Sequence, residues 1–137
     1  MNVKNNEIIE LLKGNKLPYK DIISSKVEFL THKVGEILVG CIGIENYGKD
    51  ALLRSFAVDD VYKSAGIGKK LLTELILSSK EKGVKKLHLL TTTADIYFAK
   101  HGFLSVARNN VPEKILESKE FSEICPSNSI YMVLEIK

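Results

Sequence analysis

The sequence lacks the features that mark secreted, membrane-embedded or metal-binding proteins. No stretch approaches the roughly 18–20 consecutive apolar residues of a membrane-spanning helix. The opening residues, MNVKNNEIIELLK, have neither the apolar core nor the small-residue cleavage site of a signal peptide. Two cysteines, Cys41 and Cys125, are too few for a disulfide framework or a cysteine-based metal site. We therefore expect a cytoplasmic protein that has no membrane association and no metal.

A strong excess of charge of one sign is also missing. The net charge is +3 over 137 residues, of which 27% are charged and 45% hydrophobic. Proteins that bind nucleic acids usually present a denser basic face, so we expect no nucleic-acid partner. The length suits one hydrophobic core, and no repeat, linker or low-complexity tract divides the chain. These observations predict a single domain over residues 1–137.

Hydrophobic patterning predicts alternating strands and helices. Three strands in succession, joined by short turns, indicate an antiparallel meander, and a strand–helix–strand unit after them requires one parallel pair. The predicted fold class is therefore α/β (α+β), with a mixed, mostly antiparallel sheet of six or seven strands flanked by helices. The predicted strands cover residues 27–32, 37–45, 51–58, 85–92, 103–107 and 129–136, and the predicted helices cover residues 6–13, about 68–82, 94–101 and 112 to about 121–124.

A glycine loop, Lys63-x-x-Gly66-x-Gly68, lies between the third strand and the second helix. Main-chain amides of such a loop, together with a helix N-terminus, can bind phosphates. The loop lacks the G-x-x-x-x-G-K-[ST] pattern of a P-loop. It also lacks the third glycine of the G-x-G-x-x-G dinucleotide fingerprint, because Leu71 stands at that position. Taken alone, a Gly-x-Gly pair could simply begin a helix.

Two motifs together carry a family resemblance. The loop resembles the [Arg/Gln]-x-x-Gly-x-[Gly/Ala] motif of the GNAT acetyltransferases, with Lys63 at its first position, and residues 97–103, YFAKHGF, resemble their second signature. The resemblance implies acetyl-CoA as co-substrate, and it implies that neighbouring strands separate beside the loop. The cofactor-binding residues that it implies are Phe56, Ala57, Val58, Lys63, Ser64, Ala65, Gly66, Ile67, Gly68, Lys69, Thr91 and Phe98, with Lys70 nearby.

Residues 43–48 and 51–55, GIENYG and ALLRS, give a closer resemblance to the small acetyltransferases of arsenic-resistance operons. The same landmarks are similar to the catalytic domain of N-acetylglutamate synthases. Both likenesses imply acetylation of the amine of a small, amino-acid-like and possibly carboxylated acceptor, by direct attack in a ternary complex. Family likeness also suggests a homodimer. The alternatives are a non-catalytic acyl-CoA sensor and a protein N-acetyltransferase.

The resemblance leaves the catalytic groups open. Many GNAT enzymes have, at the position of Phe98, a tyrosine that acts as general acid to the coenzyme A thiolate. Phe98 has no proton to give, so the neighbouring Tyr97 is either the general acid or a packing residue. Thr91 stands where relatives have asparagine and could bind the pantetheine, or else it simply belongs to a strand that precedes a helix capped by Thr93. The main-chain N–H of Val58 would polarise the thioester carbonyl.

Polar residues predicted on the acceptor side also have two interpretations each. Arg54 lies in an apolar strand, where alternation places it on one face with Phe56 and Val58, and it either clamps a substrate carboxylate or forms an ion pair. Candidate partners for the ion pair are Glu45, Glu28 and Glu36. Glu45 is also a candidate base acting through water, Arg108 a second carboxylate ligand or a surface charge, and Cys125 a thiol near the acceptor or a structural residue.

Overall fold

The computed structural model describes residues 5–63, 65–121 and 129–137. Within these ranges the chain forms a six-stranded sheet with four helices. The strands are β1 (Glu28–Val34), β2 (Ile37–Asn46), β3 (Asp50–Val58), β4 (Lys86–Thr91), β5 (Leu104–Ser105) and β6 (Ile130–Glu135), and the helices are α1 (Asn5–Gly14), α2 (Ile67–Glu81), α3 (Asp95–Lys100) and α4 (Glu113–Leu116).

The strands lie side by side in the order β1-β2-β3-β4-β6-β5. The β3–β4 pair is parallel because α2 connects the two strands, and the other pairs are antiparallel. Short turns with left-handed glycines, Gly35 at φ +61° and Gly48 at φ +92°, connect β1 to β2 and β2 to β3. The predicted mixed sheet and the antiparallel meander are confirmed.

Helix α2 covers one face of the sheet. Its buried stripe, formed by Leu71, Leu72 and Leu75, packs on side chains of β2, β3 and β4, and Phe98 of α3 joins the same cluster. The helix ends as predicted at Gly83, whose φ of +86° suits the left-handed residue after a helix C-terminus. The main core therefore lies between α2, α3 and this face of the sheet.

The opposite face carries two smaller clusters. Helix α1 packs its buried residues Ile8, Leu11 and Leu12 over β2 at one end of this face. At the other end, Ile115 of α4 packs with Leu52 of β3 and two aromatic residues, Phe121 and Tyr131. The middle of this face, between the two clusters, is where the charged residues described below lie.

The predicted continuous helix from residue 112 to about 121–124 is wrong, because α4 covers only Glu113–Leu116 and helical backbone resumes at residues 119–121. The Ser118 hydroxyl donates a 2.6 Å hydrogen bond to the Ile115 carbonyl. A serine side chain that bonds a nearby backbone carbonyl in this way competes with continuation of the helix. Residues 122–124 of the predicted helix lie outside the described residues.

Among the residues that the structure describes, we find no helix with both the length and the apolar character needed to cross a membrane.

Candidate active site

The site begins where β3 and β4 separate. They pair only from Asp50 to Leu52 on β3 and from Lys86 to His88 on β4, although β3 continues to Val58 and β4 to Thr91. A V-shaped gap therefore opens in the middle of the sheet. The separation predicted from the family resemblance is confirmed.

The edge of β3 that faces the gap presents main-chain donors. The Asp59 N–H donates to the Val39 carbonyl at 2.7 Å, and Ala57 pairs with Cys41, so both residues turn toward β2. Successive N–H groups of a strand point to alternate sides. The N–H of Val58, and by the same alternation that of Phe56, therefore points into the gap.

The N-terminus of α2 adjoins the end of β3. Gly66 precedes the helix in a left-handed conformation, φ +80°, and has no side chain that could cap the first helical N–H groups. Those amides have no partner within a helix and suit an anion. The Ala65 N–H, predicted to hold phosphate, instead donates to the Tyr62 carbonyl at 3.1 Å. Ser64 lies outside the described residues.

Side chains around the loop differ in availability. Ile67 is buried and fixes the start of α2 in the core, whereas Lys69 and Lys70 are exposed. Lys63 is also exposed, and its Nζ lies 2.8 Å from Asp60 Oδ1 on the neighbouring turn. An exposed pair of this kind is weak, so it leaves Lys63 free to rotate toward a bound phosphate.

Aromatic residues line the gap next to the loop. A Cβ placed on Gly68 would lie 3.4 Å from the Tyr97 hydroxyl and 3.4 Å from the Phe56 ring, so a larger side chain would fill this space. Tyr97 is half-buried, and burial raises the pKa of its hydroxyl. Phe98 is buried against Phe56 and Phe103. Tyr97, rather than Phe98, therefore presents its polar end to the loop.

A β-bulge in β3 changes which residues share a face. Cys41 pairs with Ala57 and Gly43 with Arg54, so Ile42 alone stands opposite Ser55 and Phe56. Ser55 has a φ of +55°, uncommon for a residue with a side chain. The predicted sharing of one face by Arg54, Phe56 and Val58 is wrong, because the extra residue turns Phe56 and Val58 toward α2 while Arg54 points to the opposite face.

Arg54 is fully buried among three carboxylates. Its Nη2 lies 2.5 Å from Asp21 Oδ1, its Nη1 lies 2.8 Å from Glu45 Oε2, and its Nε lies 3.5 Å from Glu120 Oε1. The ion pair predicted with Glu45 is confirmed, and those with Glu28 and Glu36 are wrong. The predicted clamp on a substrate carboxylate does not fit this geometry, since the guanidinium already binds carboxylates of its own chain.

The pKa values in this cluster follow from burial and charge. Burial acts to raise the pKa of Asp21, but hydrogen bonds from Arg54 and Ser25 outweigh it and lower that pKa. For Arg54, the carboxylates outweigh burial and raise the pKa further. Burial raises the pKa of Glu120 to about 8, against the opposing effect of Arg54. Glu120 therefore holds a proton in much of the neutral range.

Glu45, predicted from the sequence as a candidate base, has both carboxylate oxygens already occupied by hydrogen bonds. It is 4% exposed, one of its oxygens accepts from Arg54, and the other accepts from the Tyr47 hydroxyl. Burial, followed by the hydrogen bond to Glu45, raises the pKa of Tyr47, so this hydroxyl stays a donor. The alternative that Glu45 is a surface charge is wrong.

The remaining predicted residues show no direct role in the site or lie outside the described residues. The predicted helix cap by Thr93 is wrong, because Ala94 is the N-cap residue of α3 and no side chain caps it. The Thr91 hydroxyl accepts a 2.9 Å hydrogen bond from the Ala94 N–H in the turn before α3. Arg108 is exposed and donates to the Ser129 carbonyl at 2.7 Å. Cys125 lies outside the described residues.

Sequence reasoning missed a polar chain at the base of the gap. His88 is buried, with its Nε2 2.7 Å from Asp50 Oδ1 and its Nδ1 2.7 Å from the Tyr131 hydroxyl. Burial raises the pKa of Tyr131 to about 12, so its hydroxyl remains protonated and can donate to the ring. A histidine alternating with leucines in a strand is a weak signal, and its partners are distant in sequence.

Comparison with known proteins agrees with this geometry. Residues 26–104 match the family described as acetyltransferase (GNAT) domain. The fold is similar to N-acetylglutamate synthase from Neisseria gonorrhoeae complexed with coenzyme A and N-acetyl-glutamate (TM-score 0.81, 20% identity, 96% of this chain and 32% of that chain). It is also similar to a GNAT-family acetyltransferase from Staphylococcus aureus Mu50 (0.75, 22%, 97% and 93%) and to the ribosomal-protein-S18-alanine N-acetyltransferase from Escherichia coli (0.71, 17%, 100% and 92%).

A mixed sheet that opens beside a glycine-led helix N-terminus agrees with this family match. The family match covers more than half of the sequence, so the chain belongs to the GNAT acetyltransferase family. It spans about a third of the length of the N-acetylglutamate synthase chains that it matches.

Proposed function

We propose that this chain is an acetyl-CoA-dependent N-acetyltransferase whose acceptor is the amine of a small, amino-acid-like molecule. The observation that supports this most is the separation of β3 and β4 after Leu52 and His88, beside the N-terminus of α2. A pyrophosphate at the first amides of α2 would leave the thioester arm to enter the gap. Gly68, which has no side chain, lets the first turn of α2 lie close to Phe56 and the Tyr97 hydroxyl beside this gap.

Acetyl-CoA supplies the activated acetyl group, and the chain supplies orientation and electrostatic stabilisation. The N–H groups of Phe56 and Val58 point into the gap and can hold the arm as an added strand would. The Val58 N–H also suits the thioester oxygen, where negative charge develops as a neutral amine attacks. A fixed donor at that position contributes more than most single side chains, often about 100-fold or more in rate.

Tyr97 is the group that we propose to protonate the leaving sulfur. Its hydroxyl lies at the level of Gly68, where the arm would run, and its raised pKa keeps it protonated at neutral pH. Phe98 has no such group and packs in the core. The Thr91 hydroxyl already accepts a hydrogen bond from the Ala94 N–H, so we assign it no proton transfer.

The test is release of free thiol from acetyl-CoA across a panel of amines and free amino acids, with peptides bearing free N-termini as a separate group. Steady turnover with small amines is the expected result. Turnover only with peptides would indicate a protein N-acetyltransferase, an alternative that the likeness to the Escherichia coli enzyme supports. Tight binding of coenzyme A without turnover would refute the proposed enzymatic activity and would support the non-catalytic acyl-CoA sensor instead. The closer likeness to arsenic-operon acetyltransferases stays a sequence-based prediction.

A further inference from the structure

Glu120 differs from the other two carboxylates around Arg54. Asp21 and Glu45 lie 2.5–2.8 Å from the terminal nitrogens of the guanidinium, whereas Glu120 Oε1 lies 3.5 Å from Nε. One guanidinium thus faces three carboxylates, and two of them already hold it closely. When all three are ionised the cluster carries excess negative charge in a buried place, which is costly. The carboxylate held least closely is therefore the one that exchanges a proton most readily.

Glu120 lies beside Arg54, which belongs to the part of β3 that no longer pairs with β4, and it is on the face opposite α2. Arg54 Nε, which approaches Glu120, donates at 3.2 Å to the hydroxyl of Ser55, the bulge residue of β3. The next residue, Phe121, packs with Tyr131 in a cluster that includes Leu52, where β3 leaves β4, and that also contacts Leu90 in the separated part of β4. Helix α2 and the glycine loop occupy the other face, so we expect the acceptor to approach from the face of Glu120.

We propose that Glu120 is the general base that takes the proton from the acceptor amine, a role that rests on the function proposed above. The amine nitrogen bonds to the thioester carbonyl carbon while its proton passes to the Glu120 carboxylate, directly or through one water. The carbon–sulfur bond then breaks and the electron pair leaves on sulfur. The sulfur takes a proton from the Tyr97 hydroxyl. Glu120 then releases to solvent the proton that it took from the amine, and Tyr97 regains a proton from solvent. The products are an amide and free coenzyme A as thiol.

The surroundings of Glu120 suit this exchange. Burial raises its pKa to about 8, with Glu45 and Asp21 adding to the rise and Arg54 opposing it. Tyr47, which donates to Glu45, and Tyr131, which packs on Phe121, have raised pKa values and stay neutral. A base works best when its pKa lies near the working pH. Glu45, predicted from the sequence for this role, is instead held by Arg54 and Tyr47.

The experiment compares the wild type with Glu120→Gln, using the best acceptor from the thiol-release panel over pH 6 to 10. We expect kcat/KM to fall at least about 100-fold at high pH in Glu120→Gln, a typical loss for removal of a general base. Ionisation of the amine affects both proteins equally, so the ratio of the two profiles isolates Glu120. That ratio should rise with pH up to about 8 and then level. Glu117→Gln, at an exposed position on the same segment, is the matched control and should behave as wild type.

Stability separates catalysis from packing. Glu120→Gln keeps the shape of the side chain and removes a buried charge, so at pH 8 it should melt no lower than the wild type and bind coenzyme A equally well. Glu120→Asp should be slower than wild type but keep the pH dependence. Equal rates for Glu120→Gln and wild type, or a ratio independent of pH, would overturn the proposal. Loss of both stability and coenzyme A binding in Glu120→Gln would also overturn it, in favour of a packing role. If the wild type itself turns over no amine, the failure lies in the proposed function.

Discussion

The buried carboxyl of Glu120 should make the free energy of unfolding decrease as the pH rises. Its pKa is about 8 in the folded protein, against an ordinary value of 4.5. Between these values the unfolded chain has released the proton while the folded chain still holds it. The free energy of unfolding of the wild type should therefore fall as pH rises through this window, by about 1.4 kcal/mol per pH unit. The contribution of the protonated group is complete below pH 4.5 and lost above pH 8.

Glu120→Gln resembles the protonated side chain at every pH, so it should lack this loss. The difference of 3.5 pKa units, from 4.5 to about 8, corresponds to roughly 5 kcal/mol of relative stabilisation of the variant at pH 8 and above. That is a large part of the roughly 5–15 kcal/mol that holds a typical domain folded. Near pH 4.5 the two proteins should be equally stable.

Urea denaturation of both proteins at pH 5, 6, 7, 8 and 9 measures this difference. Ionising groups distant from Glu120 contribute equally to both proteins, and Asp21, whose pKa is lowered, stays ionised in both over this pH range. Glu117→Gln should show no pH-dependent difference from wild type. A wild-type minus Glu120→Gln difference that stays constant from pH 5 to 9 would refute the reasoning.

Four further predictions concern single residues. Arg54→Met should lower the free energy of unfolding by about 3–5 kcal/mol in urea, because it leaves buried carboxylates without a cation; a loss below 1 kcal/mol would contradict the buried ion pairs. Gly66→Ala and Gly48→Ala should each cost about 1–2 kcal/mol, since both replace a left-handed glycine in open space, but only Gly66→Ala should weaken coenzyme A binding in calorimetry. Tyr97→Phe should keep its melting temperature and coenzyme A affinity while kcat falls about 10-fold or more; an unchanged kcat would remove Tyr97 as the acid. Cys41, whose thiol pKa burial raises to about 12, should resist iodoacetamide in native protein and react in urea, as followed by peptide mass spectrometry.

The parts of the fold that the sequence predicted correctly depend on local patterns. Helix α2 follows from its apolar stripe and from Gly83 at its end, and the gap was implied by the family resemblance that the glycine loop and residues 97–103 carry. These signals lie within a few residues of the features that they predict. The errors at Thr93 and at the end of α4 arose because single hydroxyls, those of Thr91 and Ser118, form hydrogen bonds that patterns of hydrophobicity do not encode.

The candidate site was less predictable because its contacts are distant in sequence. An arginine in an apolar strand requires a partner, which the sequence indicated, but Asp21 is 33 residues away and Glu120 follows two further strands, β4 and β5, and three α-helices, α2 to α4. The face of Arg54 was predicted wrongly because one extra residue at Ser55 reverses the alternation of β3. A bulge depends on pairing with β2, so a pattern read along one strand does not reveal it.

The imidazole of His88 joins three adjacent strands at the last level where β3 and β4 still pair. These two hydrogen bonds tie β3, β4 and β6 together at the level where the gap begins. The strands beyond this level are free of that link, so a change in the width of the gap need not disturb the paired part of the sheet.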